Sequence, residues 1–137
     1  MQKTIVCVTD QLNCERIIKS SKLLAHISNT SLDVISIVNP LKEQFNPQAI
    51  EYLFEVSKKN GATMSVIYHD DFKKAIHNFI KNNKPINVIT GIPSGENSVL
   101  YKLWNKFNNI NFFIVDNDGM LQEVTYKIKQ QLNGRML

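Results

Sequence analysis

Five short runs of apolar, mostly β-branched residues recur along the chain. They are Thr4–Thr9 (TIVCVT), Leu32–Val38 (LDVISIV), Thr63–Tyr68 (TMSVIY), Ile86–Thr90 (INVIT) and Asn111–Asp116 (NFFIVD). Runs that are apolar at nearly every position read as strands covered on both faces, the habit of parallel sheets. Between them the pattern changes to a period near 3.6. Ile17, Ile18, Ser21, Leu24 and Ala25 share one helical face, as do Ile50, Leu53, Phe54 and Ser57. Phe72, Ala75, Ile76, Phe79 and Ile80 form a third face, and Val99, Leu100, Leu103, Trp104 and Phe107 a fourth. The punctuation agrees: Asn46-Pro47 reads as an N-cap followed by a first-turn proline, Asn60-Gly61 as a helix stop, and Asp70 as a second N-cap. Strands alternating with helices predict an α/β fold, a three-layer, doubly wound, five-stranded parallel sheet. After the fifth strand, Leu121, Val124, Ile128 and Leu132 predict a helix capped by Asp118 and stopped by Gly134. The alternation of Val124, Tyr126 and Ile128 offers a strand as the alternative.

Composition narrows the class. A chain of 137 residues with 43% hydrophobic and 20% charged residues is expected to form one globular domain over 1–137. No apolar run approaches the roughly 20 residues of a membrane span, and Met1-Gln2-Lys3 leads straight into a strand-like stretch. The expectation is a cytoplasmic protein with no membrane partner. The formal charge of +4 rests on lysine, since Arg16 and Arg135 are the only arginines among 16 basic residues. Arginine supplies the bidentate contacts to phosphates and bases, so nucleic acid is not an expected partner. The pairs Lys73 and Lys74, and Lys102 and Lys106, read as solvated helix surface. Cys7 lies in a strand and reads as a small buried hydrophobe, while Cys14 sits near a helix start. Their spacing matches no redox motif.

In an open parallel sheet, ligands bind beyond the carboxyl ends of the strands, where the strand order reverses. The loop after the first strand carries Thr9, Asp10 and Asn13. The loop after the fourth carries Gly91, Ser94, Gly95, Asn97 and Ser98 and leads into a helix. Glycines admit close backbone approach, small polar side chains supply hydrogen bonds, and a helix N-terminus favours an anion. The run contains neither G-x-x-x-x-G-K-[ST] nor G-x-G-x-x-G, so an ordinary turn with Asn97 as helix cap is the competing reading.

The segment VCVTDQLNCERIIK (6–19) resembles the opening of the universal stress protein family. It is most similar to the version built into potassium-sensing histidine kinases, where a V-C-V-S strand end is followed by S-E-R. Here these become Val6-Cys7-Val8-Thr9 and Cys14-Glu15-Arg16. VISIVN, VITG and Ser98-Val99 continue the likeness over roughly residues 3 to 116. The resemblance implies strand order 3-2-1-4-5 and a non-catalytic stress or signalling module that binds ATP, another adenine nucleotide or another phosphorylated ligand; from the residues themselves no metal is expected. It places the ligand against Thr9, Asp10 and Asn13 on the base and ribose side, with Val38 touching the adenine. The phosphates would lie on Gly91, Ser94, Gly95, Asn97 and Ser98. The family's G-x-x-G-(nine residues)-G-S/T loop is degenerate here: Gly95 falls one place late and the spacer is nearly gone. A cyclic dinucleotide held by a Ser-x-Ser pair would find only Thr9-x-Gln11.

In that strand order the fifth strand is an edge, and edges invite pairing with a second copy. A homodimer with Phe112 or Phe113 at its interface is therefore expected. The alternative function is a dimeric interaction module that has lost nucleotide binding; a nucleotide-hydrolysing enzyme ranks third, for want of a recognisable base. His69, Asp70, Asp71 and His77 are of metal-ligand type, but they read as a helix cap with exposed polar residues.

Overall fold

Each apolar run becomes a strand in the computed structural model, which describes residues 1–9, 11–41, 46–91 and 98–124, with backbone alone for 98–101. The strands are β1 (Lys3–Val8), β2 (Ser31–Val38), β3 (Thr63–Tyr68), β4 (Asn87–Gly91), β5 (Asn111–Val115) and β6 (Leu121–Glu123). They form one sheet in the order β3-β2-β1-β4-β5-β6, parallel throughout except that β6 runs antiparallel to β5. The helices are α1 (Glu15–Ser28), α2 (Pro47–Lys59), α3 (Phe72–Asn83) and α4 (Ser98–Lys106), with a 3-10 turn at Leu12–Cys14 before α1. The α/β class and the 3-2-1-4-5 order are as expected.

The helices divide between the two faces as the order requires. On one face Ile17, Ile18 and Ala25 of α1 and Ile50, Leu53 and Val56 of α2 pack on Val6, Val34, Ile89 and Val115. On the other, Ile76 and Ile80 of α3 and Leu103 and Trp104 of α4 pack on Val88, Phe112 and Ile114. Each large aliphatic side chain buried this way contributes about 1.5–3 kcal/mol. Phe54 and Phe72, expected on the packed faces, are 41% and 40% exposed. They sit at the margins of their stripes, and on α2 Val56 is buried instead. Among the described residues no helix is long and apolar enough to cross a membrane.

Local signals explain the ends of the helices. Asn46 accepts a 3.1 Å bond from the Ala49 N–H while Pro47 opens α2. Asn60 ends that helix, and Gly61 follows at φ +70. The cap of α3 is Asp71 rather than Asp70: its Oδ1 accepts from the Lys74 N–H at 3.1 Å. The cap must stand immediately before the first helical residue, here Phe72, and Asp70 instead lies 3.4 Å from His69 Nδ1.

Two expectations about the C-terminal part are corrected. Leu121–Glu123 is a strand, not the start of a helix capped by Asp118. The Asp116 carboxylate accepts from the N–H groups of Asp118 and Met120, both at 2.9 Å, and Gly119 takes φ +82. That turn sends the chain back along β5. Residues 125–137, which carry the rest of the expected helix, lie outside the described residues. In consequence β5 is not an edge, and Phe113 pairs with Glu123 of β6. Phe112 is buried against α3 and α4, and Phe113 packs partly buried on the α1 and α2 side. Both rings serve the fold of one chain, and a dimer through β5 would have to displace β6.

Cys7 is half-buried and packs beside the α3 and α4 cluster. Burial pushes its thiol up to about 12 from 9.0. The folded state thus favours the neutral thiol. Its stabilising contribution is complete below pH 9 and is lost as pH rises toward about 12. In urea unfolding, the advantage of the wild type over Cys7→Ala should therefore shrink between pH 7 and pH 10. An advantage that stays constant or grows would contradict a protected thiol.

Candidate functional site

Strand order reverses between β1 and β4, so the crevice lies beyond Val8 and Gly91. Thr9 is exposed at its rim, with Oγ1 3.4 Å from the sulfur of buried Cys14. Gln11 to Cys14 close the 3-10 turn through a 3.1 Å bond from the Cys14 N–H to the Gln11 carbonyl. Asn13 is exposed on that turn, and its carbonyl is held by Arg16. Val38, at the end of β2, is buried, and its carbonyl accepts from the His69 N–H at 2.9 Å.

Arg16 organises this end of the sheet. Its Nη1 donates to the Asn13 carbonyl at 2.8 Å and its Nε to the Asp116 carbonyl at 3.1 Å. Nη2 reaches Asn117 Oδ1 at 3.5 Å. One guanidinium thus ties the loop after β1 to the loop after β5. Because β4 lies between β1 and β5, the bridge joins the loops on either side of β4. A Cβ built on Gly91 would stand 3.3 Å from Ile17 Cδ1, so α1 packs close over this point. Among the described residues, three of the five Arg16 guanidinium N–H groups have partners.

Glu15 opens α1 beside the same turn. Its carboxylate accepts a 2.7 Å bond from Tyr52 Oη and lies 3.1 Å from Lys19 Nζ. The Tyr52 bond first, and Lys19 second, hold Glu15 below the usual carboxylate range; the same bond raises Tyr52. This latch fixes α2 to the start of α1, where Leu12–Cys14 must be held.

The structure therefore brings Thr9, Asn13 and Gly91 to one end of the sheet, with Val38 on the far side of β1. Asp10, Ser94, Gly95 and Asn97 lie outside the described residues, and Ser98 is described only as the first residue of α4. Arg16 was missed as a site residue. Its one sequence signal was position, a lone arginine in the first turn after the strand 1 loop. The His69 group stays dispersed: His69 Nδ1 accepts from the Asp71 N–H at 2.9 Å, and His77 lies against Phe107 with ring centroids 5.3 Å apart. Among the described residues no three His, Cys, Asp or Glu side chains converge on a point that could hold a metal ion.

No family model matches the chain, and no curated protein sequence does. Solved structures do match in fold. A universal stress protein from Archaeoglobus fulgidus aligns with TM-score 0.60 at 16% identity, over 85% of this chain and 93% of that one. A structure of the universal stress protein from the same organism in complex with dAMP gives 0.58 at 16% identity, over 85% and 97%. A universal stress protein in complex with cAMP gives 0.60 at 13% identity, over 85% and 97%. The chain thus has the universal stress protein fold, with β6 as an added antiparallel strand on its five-stranded parallel core.

Proposed function

We propose that the chain is a non-catalytic stress or signalling module of the universal stress type, acting in the cytoplasm. It binds an adenine nucleotide, or another small phosphorylated ligand, in the crevice between β1 and β4. The observation that carries this reading is Arg16, whose guanidinium joins the loops on either side of β4 at the carboxyl end of the sheet. The dAMP and cAMP complexes of proteins with this fold support an adenine nucleotide as the ligand. The V-C-V-T strand end and Cys14-Glu15-Arg16 favour kinship with the version found in potassium-sensing histidine kinases. In this assignment Thr9, Asp10, Asn13 and Val38 face the base and ribose. Gly91, Ser94, Gly95, Asn97 and Ser98, joined by Arg16, face the phosphates.

Titration calorimetry with AMP, cAMP and ATP tests the reading. Binding of at least one is expected, and Gly91→Val should weaken it at least tenfold by filling the space between β4 and Ile17. Thermal denaturation of the same variant establishes that it is folded under the assay conditions. An absence of binding at millimolar nucleotide would overturn the proposal.

A further inference from the structure

On the opposite face of the sheet from α1, helices α3 and α4 enclose a groove of about 380 Å³. Four of its lining residues are lysines, Lys73 and Lys74 from α3 and Lys102 and Lys106 from α4. His77 and Leu103 complete the two walls. The two helices contribute matching patterns: Lys74 and His77 lie within one turn on α3, as do Lys102 and Lys106 on α4. The same lysine pairs read from the sequence as separate solvated surfaces. The crossover from β3 to β4 puts α3 on the face that α4 also occupies, so the two pairs meet.

The electrostatics of the groove are one-sided. Among the described residues Asp71 is its single acidic lining residue, and that carboxylate is engaged in capping the Lys74 N–H. Among the described residues the lysine ion pairs are Lys3 with Asp33 and Lys19 with Glu15. None of the four groove lysines has a carboxylate within 4.0 Å among those residues. Four lysines lining one concavity make its surroundings electropositive, which favours an anion there. Leu103 is only 4% exposed and anchors the α4 wall in the core, while the four lysines reach into solvent. Concavities of about 300–1,000 Å³ suit small molecules rather than a protein surface. Lysine ammonium groups act as point charges, which suits clustered phosphate oxygens without demanding a planar partner.

We propose that this groove is a second ligand site, for a small anion carrying two or more phosphates. It is separate from the β1 and β4 crevice and does not depend on the nucleotide reading. The probe is inorganic tripolyphosphate, titrated into the full chain at low ionic strength. Binding that depends on the groove lysines is expected, with affinity falling at least tenfold between about 20 and 200 mM salt, as screening of exposed charges requires. The double variant Lys102→Gln/Lys106→Gln, which replaces two exposed side chains and keeps their length, should weaken binding at least tenfold. Gly91→Val should leave tripolyphosphate binding unchanged, which separates the groove from the crevice. In NMR spectra the His77 ring signals should shift on titration in the wild type. The proposal is overturned by no binding at 20 mM salt, by equal binding of the double variant, or by loss of binding in Gly91→Val. It is also overturned if an acidic peptide or a DNA oligonucleotide binds through Lys102 and Lys106 at least tenfold more tightly than tripolyphosphate. That outcome would make the groove part of a macromolecular interface.

Discussion

Asn87→Ala should lower the unfolding free energy by about 3 kcal/mol, the sum of its broken bonds and the partners left without them. Asn87 opens β4 and is 2% exposed. Its Nδ2 donates to Thr4 Oγ1 and to Ser28 Oγ, both at 3.0 Å, and its Oδ1 accepts from Asn111 Nδ2 at 3.3 Å. One side chain therefore joins β1, β4 and β5 to the last turn of α1. Thr4 Oγ1 is also 2.6 Å from Thr30 Oγ1, so it keeps a partner in the variant. Ser28 and Asn111 lose their bond to Asn87. At about 3 °C per kcal/mol for a chain of this size, the melting midpoint should fall by about 10 °C. Asn111→Ala removes one bond from an exposed position and should cost about 1 kcal/mol. These residues lie at the amino ends of the strands, remote from Gly91, so Asn87→Ala should bind nucleotide like the wild type in the cold. Urea unfolding decides the point: a loss under 1 kcal/mol would show that the polar cluster does not join these elements.

The same cluster marks how far local pattern reaches. Four of the strands were legible because their runs are apolar on both faces; β4, for example, is buried along Asn87–Thr90. The remaining one, β3, lies at the sheet edge, leaves Thr63, Ser65 and Tyr68 exposed, and was legible by its β-branched composition. The helices were legible by period, and Asn46 and Asn60 gave their ends through chemistry that acts within a few residues. The strand at Leu121–Glu123 was not legible, because three residues carry no period and its existence depends on pairing with β5. The Asp116-Asn117-Asp118-Gly119 turn was visible in the sequence, but Asp118 also fits a helix cap, and only the partner strand decides between them. At the crevice, the rule for strand ends placed Thr9, Asn13 and Gly91. Arg16 was hidden because its bond to the Asp116 carbonyl spans 100 residues. The lysine groove was hidden for a related reason. The spacing on each helix is local, whereas their meeting depends on a crossover that skips two strands.

Trp104→Ala should be the most damaging single substitution considered, at about 4 kcal/mol. Trp104 is 3% exposed and sits with Ile76 and Ile80 of α3 and with Val88, Phe112 and Ile114 of the sheet. Truncation removes the largest side chain type from a cluster to which α4 otherwise contributes Leu103 among its buried residues. The cost combines lost transfer free energy with a cavity that the sheet, paired on both sides of β4, has little freedom to close. Against a typical total of about 5–15 kcal/mol this is a large fraction, and the midpoint should fall by about 12 °C. Trp104→Phe keeps most of the packed volume and should cost less than half as much. The consequence extends to the groove, because Lys102, Leu103 and Lys106 hold their places only while α4 is seated by Trp104. Tripolyphosphate affinity should therefore weaken in Trp104→Ala at temperatures where the protein is still folded, and recover in Trp104→Phe. A destabilisation under 1.5 kcal/mol would mean that α4 does not rest on the sheet through this residue, and the lysines it carries would then lose the geometry on which the groove depends.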